Sequence, residues 1–330
     1  DNLSVRSFTI GRLTPALYEL TPVPTPDNDT TPSYKFFSTL SGTISYGGDC
    51  RDNTTPTATA GNNTIIFDVL AEGLHNNCEI SVDNNSNTSD NLSVSSFTID
   101  TTPPTLVETT VVSTLTNDNT SLSYTFSSTE GGTITIIGSC SSDNTTAVAD
   151  NMTVSFAALA DGTYSDCTIT VTDSAGNTPQ TISVNTFTID TVKPVLAQVI
   201  AVTTPTNDNT SSYTFSSTEA GTISYSICGG NLDNASEDNN TIIFDALADD
   251  TYSDCKISVT DNASNTSDNL SVSSFTIDTV KPVLVLVTAV TTPTKDPTPG
   301  YAFSSDEAGT ISYGGCSPGG TSADNGTNSI

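Results

Sequence analysis

The chain has 330 residues, 37 acidic against 8 basic, and a formal charge of −29. Such a surface repels nucleic acid and anionic lipid, and it suits divalent cations or plain solubility in salt. Only 34% of residues are apolar, with no Trp, one Met and one His, and no run approaches the 18 apolar residues of a membrane span. Nucleic-acid binding and membrane insertion are therefore set aside. Composition this polar also suits disorder, but Tyr, Phe and Cys recur at fixed intervals, which disorder does not require.

In chain order, residues 1–10 (DNLSVRSFTI) read as the last strand of a preceding repeat. Full repeats follow at 11–100, 101–190 and 191–278, and 279–330 is an incomplete fourth. The motif SFTID ends at Asp100 and Asp278, and NTFTID ends at Asp190, a period of 88 to 90 residues. A period this long means one small domain copied along a string.

Within 101–190 a Pro-rich linker, Thr101 to Pro104, precedes a largely β-branched run from Leu106 to Val112. TNDNT (116–120) signals a turn. SYTFSS (123–128) alternates and predicts a strand, then Glu130-Gly131-Gly132 turns the chain into TITIIGSC (133–140). A polar loop leads to MTVSF (152–156) and a turn at Ala160-Asp161-Gly162. DCTITVTD (166–173) puts Cys167, Ile169 and Val171 on one face. SAGN (174–177) turns again, and TISVNTFTID (181–190) is the last strand. There Ile182 and Val184 share one parity and Phe187 and Ile189 the other, which predicts a bulge near Asn185. About seven short alternating strands with regular turns, and no helical period, predict an all-β antiparallel sandwich.

Seven cysteines fall in register: Cys50 with Cys78, Cys140 with Cys167, Cys228 with Cys255, and Cys316 alone. One pair per repeat reads as one disulfide per domain in an oxidising compartment. Zinc is the rival, but it would want CxxC pairs or histidines, and the one histidine is His75. The partner of Cys316 is expected near position 343.

The pattern FTIDTTPP (97–104), TNDNT (116–120), STEAGTISY (217–225), LADGTYS (159–165) and VTDSAGN (171–177) resembles the bacterial immunoglobulin-like repeats of giant surface adhesins and biofilm proteins. The resemblance covers nearly the whole chain. It implies tandem immunoglobulin-like sandwiches in an extended, extracellular array. It departs in one respect, because those repeats usually lack cysteine. In that topology the cysteines end the third strand and begin the sixth, antiparallel neighbours, so each bridge staples one sheet near a domain end. Tyr164 in ADGTY resembles a tyrosine corner; Tyr252 holds the same place and His75 replaces it in the first repeat.

The same topology predicts which loops meet where repeats abut. At the 100 junction Asp27, Asp29, Glu72 and Asp100 face Glu130 and Asp173. At 190, Asn117, Asp118, Asp161 and Asp190 face Glu219 and Asp261. At 278, Asp208, Asp249 and Asp278 face Asp306 and Glu307. Crowded carboxylates cannot all stay ionised and unpaired. Calcium, with six to eight oxygen ligands, would resolve the repulsion, and the resemblance implies calcium at such junctions. At the first junction Gly11 replaces the linker Asp and Leu40 the facing Glu, so the two vanish together. The competing reading is that Asp, Asn and Gly simply make turns.

Sequons occur at Asn62, Asn91, Asn119, Asn144, Asn209, Asn239 and Asn269 among others, many of them expected by chance in so Asn- and Thr-rich a chain. The lysines (Lys35, Lys193, Lys256, Lys281, Lys295) hold no fixed place, which argues against isopeptide bonds. No nucleophile–base pair recurs and no phosphate loop is present, so no enzyme is expected. The expected function is a stalk or filament of a cell-surface adhesin, continuing a longer array or self-associating. Alternatives are a module binding glycan or a host surface, the stalk of a secreted enzyme, and a subunit polymerising by donor-strand complementation through residues 1–10. That last scheme supplies a final strand but not the sixth, and leaves Cys316 unpaired.

Overall fold

The computed structural model describes residues 13–52, 54–85, 87–177, 180–315 and 320–330. Every regular element among them is a β-strand. The chain divides into two units, 1–191 and 192–330.

In unit 1 the strand Ser123–Ser128 shows why the sequence folds as it does. Tyr124 and Phe126 are fully buried, while the alternate positions are polar and face outward. It pairs antiparallel with Leu106–Thr110 on one side and Asp150–Ser155 on the other. A second sheet runs in the order Thr146–Ala147, Gly132–Ile137, Thr168–Thr172, Ile182–Ser183. The inward side chains of both sheets, among them Tyr124, Phe126, Val154, Ile169 and Val171, form one core, which Phe187 joins. Burying each such side chain contributes roughly 1.5–3 kcal/mol. Residues 23–99 build a separate core of the same kind.

The last strand departs from the sequence reading. It is split into Ile182–Ser183, which pairs with Thr168–Thr172, and Phe187–Ile189, which pairs antiparallel with Gly162–Tyr164 and parallel with Leu115–Thr116. Asn185 stands at the break. Its Nδ2 donates to Val112 O at 2.8 Å and its Oδ1 accepts from Val112 N at 2.9 Å. The parity change therefore marks a change of partner strands bridged by a side-chain amide. The bulge lies instead in the first strand, between Glu108 and Thr110, and recurs at Glu19/Thr21, Gln198/Ile200 and Leu286/Thr288. In the neighbouring repeats the bridging group comes from that bulged strand: Glu19 accepts from Ser95 N at 3.0 Å, and Gln198 Oε1 accepts from Ser273 N at 3.1 Å.

Unit 2 repeats these registers between Leu196 and Ile277 around a third core. Beyond it, Leu284–Thr288, Ala302–Ser305 and Gly326–Ser329 form one sheet. Leu284, Leu286, Phe303, Ile311, Tyr313 and Ile330 line an apolar cleft of about 900 Å³. In the preceding repeat the corresponding face is closed by Val272, Phe275 and Ile277.

Three disulfides join Cys50–Cys78, Cys140–Cys167 and Cys228–Cys255, with Cα–Cα distances of 5.1, 5.5 and 5.5 Å. Each lies just past the end of an antiparallel pair, Ile137↔Thr168 in the second repeat. They point to an oxidising environment. Cys316 and residues 1–10 lie outside the described residues. No helix among the described residues is long and apolar enough to cross a membrane.

The corner residues make one contact in three copies. Tyr164 Oη donates to Ala160 O at 2.9 Å and Tyr252 Oη to Ala248 O at 3.0 Å. His75 Nε2 lies 2.8 Å from Ala71 O; a carbonyl only accepts, so Nε2 carries the proton. All three rings stack on the Phe of the last strand, at 5.2–5.4 Å between centroids.

Candidate metal centre

The best-defined site is the junction between the first two repeats, within unit 1. Asp100 follows the strand Phe97–Ile99 and is held by the first turn of its own repeat: Asp100 N donates to Asp27 O, and Asp27 N to Thr98 O, both at 2.9 Å. Glu130 sits on the turn after Ser123–Ser128, where Ser128 Oγ donates to Glu130 O at 2.6 Å. Gly132 lets that turn close against the neighbouring strand, since a Cβ there would collide with Thr172 O. Asp173 follows Thr168–Thr172 and is buried. Its Oδ1 accepts from Ala175 N (2.9 Å) and Asn177 N (3.0 Å), and its Oδ2 from Asn177 Nδ2 (2.7 Å).

Asn177 also donates to the linker carbonyls Asp100 O at 3.0 Å and Thr102 O at 3.3 Å. One amide thus ties the second repeat to the linker. At the preceding junction Asn84 Nδ2 donates to Leu13 O at 2.9 Å. By register Asn84 takes the place of Asp173, so an amide contact to the chain entering the repeat stands there where Gly11, Leu40 and Asn84 replace the three acids.

Carboxylate oxygens of Asp100, Glu130 and Asp173 lie within 4.8 Å of one another. At that separation each ionised pair repels by roughly 1 kcal/mol even at the dielectric of water. Partial burial, then Asp100, Asp173 and Glu72, raise the Glu130 acid above its ordinary value. The donor set is all oxygen, with no Cys or His, and carboxylates bind in one- or two-oxygen fashion. It fits a hard divalent cation such as calcium and does not fit zinc.

The remaining acids predicted here also accept hydrogen bonds. Asp29 Oδ1 accepts from Thr31 N at 2.8 Å, Asp118 Oδ1 from Thr120 N at 2.9 Å, and Asp208 Oδ1 from Thr210 N at 3.0 Å. Asp27 Oδ1 accepts from Asp29 N at 3.0 Å. These are local turns. The Ser121 hydroxyl, then the Thr120 and Ser121 amides, lower the Asp118 acid to about 2. Glu72 accepts from Thr102 Oγ1 at 2.7 Å and Thr101 Oγ1 at 2.9 Å, and these bonds, Thr102 first, lower its acid. Asp161 grips Thr191 (N 3.1 Å, Oγ1 2.9 Å), and Asp249 grips Thr279 (N 3.0 Å, Oγ1 2.9 Å). The acid of this turn therefore clamps a linker threonine in each full repeat. The sequence reading missed the clamp, although Thr101, Thr191 and Thr279 each follow the linker Asp.

Asp190 closes unit 1, its N donating to Thr116 O at 3.0 Å. In unit 2, Glu219 occupies the turn after Ser212–Ser217, where Ser217 Oγ donates to Glu219 O at 2.6 Å. Asp261 accepts from Asn265 N at 2.8 Å and Asn265 Nδ2 at 2.9 Å, the pattern of Asp173 and Asn177. Desolvation first, then Asp278 and Asp306, raise the Glu307 acid. Asp306 Oδ1 accepts from Val283 N at 2.7 Å, where Thr129 and Thr218 hydroxyls serve in earlier repeats.

No family model and no curated protein matches the chain. Among solved structures it is similar to native E. coli alpha-2-macroglobulin at 11% identity and a TM-score of 0.20, over 90% of this chain and 25% of that one. The chain thus spans a quarter of that protein, and the likeness is too shallow to bear on function.

Proposed function

We propose that the chain is an extracellular structural protein: tandem immunoglobulin-like sandwiches forming the stalk or filament of a cell-surface adhesin, with calcium stiffening the junctions. The observation that carries this reading is the convergence of a linker carboxylate, Asp100, with Glu130 and Asp173 of the following repeat. A cation held by all three would cancel their repulsion and fix the linker to the repeat it leads into. The Glu72 clamp and the Asn177 lock order the same linker beforehand, so the metal pays little additional entropy. Each disulfide adds stability to a core without Trp. Calorimetric titration tests the site: calcium binds the chain, and the double variant Asp100→Asn/Glu130→Gln loses one binding equivalent. An unchanged stoichiometry would remove this site from the account.

A second reading, a glycan-binding module, rests on a different observation. Tyr18, 58% exposed, lies 6.3 Å from the Phe37 ring on the outer face of the first repeat. The same cross-strand pair is Val107–Ser127 and Ala197–Ser216 in the next two. An exposed Tyr beside a half-buried Phe on one copy alone can stack on a sugar ring. A glycan-array comparison of the chain with its Tyr18→Ser variant separates the two readings.

A further inference from the structure

We propose that Asn62, Asn151 and Asn239 carry N-linked glycans, one on each complete repeat. The strands Gly61–Ile66, Asp150–Ser155 and Asp238–Ile243 hold Asn-x-Thr at the same two positions: Asn62 with Thr64, Asn151 with Thr153, Asn239 with Thr241. Their registers match, opposite Phe37, Ser127 and Ser216. In a strand, residues two apart share a face, and here the Asn and the Thr are all exposed. The residue between them turns inward and varies: Asn63, Met152, Asn240.

Chance sequons in an Asn-rich chain fall anywhere; hydrogen bonds engage several of the others, while Asn209 and Asn269, exposed as well, have Ser in place of Thr and recur in only two of the complete copies. The Asn91 amide donates to Glu79 at 2.7 Å. Asn144 Oδ1 accepts from Ser155 N and Ser142 Oγ, which fixes that side chain against its loop. Asn265 is buried, with its Nδ2 on Asp261. By contrast, Asn62 and Asn239 side chains make no hydrogen bond among the described residues. Asn151 only accepts one, at 3.3 Å from Thr109 Oγ1, leaving Nδ2 open to solvent. The simplest competing view is that outward strand positions are polar anyway. It accounts for any mixture of Ser, Thr and Asn, as at Thr327 in the fourth copy, but not for the acceptor pair at one register in all three complete copies.

The chemistry needs one co-reactant, a lipid-pyrophosphate-linked oligosaccharide. Asn Nδ2 attacks the anomeric carbon, a C–N bond forms, the bond to the pyrophosphate oxygen breaks, the amide proton passes to a base of the transferase, and lipid pyrophosphate leaves. The oxidising environment required by the disulfides is where such transfers occur. These strands are also sheet edges, each with a single neighbour, and a bulky polar group beside an open edge blocks edge-to-edge pairing.

The test is peptide mapping by mass spectrometry of the full chain purified from its native source. Sugar-bearing peptides are expected at Asn62, Asn151 and Asn239, with Asn144 and Asn265 at unmodified mass. The variants Thr64→Val, Thr153→Val and Thr241→Val keep a β-branched side chain and should each remove one glycan from the intact mass. Three unmodified peptides would overturn the proposal. So would glycans spread equally over Asn144 and Asn265.

Discussion

Removing the staple from the second repeat gives the sharpest energetic prediction. Cys140 and Cys167 are 4% and 2% exposed and close a loop of sequence separation 27. In the chain-entropy model such a loop is worth roughly 3.5 kcal/mol, by confining the unfolded chain. A domain of this size holds only about 5–15 kcal/mol in all. At about 4–8 °C per kcal/mol for a domain under 100 residues, the variant Cys140→Ala/Cys167→Ala should melt roughly 14–28 °C lower. Alanine is chosen because serine would bury two hydroxyls without partners. Scanning calorimetry of the full chain should show one transition moving, while those of the other two disulfide-bonded repeats stay. A shift under about 5 °C would refute the argument, meaning that loop closure is not what holds this core.

Other expectations follow from single groups. Glu130 has a raised acid and an ordinary value of 4.5, so the folded metal-free chain binds its proton more readily than the unfolded chain. Stability in chelator should therefore rise as pH falls from neutral toward 4.5, and Glu130→Gln should flatten that change; a melt insensitive to both would contradict the crowding. The lowered acid of Asp118 works the other way, its contribution being present above 3.8 and lost only as pH falls toward 2. Tyr213 Oη is buried without a hydrogen bond among the described residues, whereas Tyr124 Oη donates to Glu108 at 2.9 Å. Chemical denaturation should find Tyr213→Phe stabilising by about 1 kcal/mol and Tyr124→Phe destabilising by a similar amount. Thr102 N donates to Asp100 Oδ1 at 3.1 Å, so amide hydrogen exchange at Thr102 should accelerate in Asp100→Ala; an unchanged rate would contradict that bond.

Much of the fold was legible because its signals are periodic. The alternation in SYTFSS specified Ser123–Ser128 to the residue, and Cys167, Ile169 and Val171 do share a buried face. Two short strands, Leu115–Thr116 and Gly162–Tyr164, were missed because two or three residues carry no period. At Asn185 the parity change was visible but its cause was not: a bulge and a change of partner strand leave the same trace in sequence. Topology pointed to Asp100, Glu130 and Asp173. It also named Asp29, Asp118 and Asp208, which accept from backbone amides two residues on just as Asp100 and Asp173 do but join no group of three converging carboxylates among the described residues; convergence, unlike a turn, leaves no local trace in sequence. The Asn177 lock depends on contacts to residues 75 to 77 positions away, which no local pattern reveals.

The central claim is that a cation held by Asp100, Glu130 and Asp173 fixes the first two repeats to one another. Small-angle scattering of the full chain, with calcium and then with excess chelator, measures this directly. The account predicts a longer maximum dimension and a narrower distance distribution with calcium, both lost in Asp100→Asn/Glu130→Gln at the junction it alters. Superimposable curves in the two conditions would contradict it.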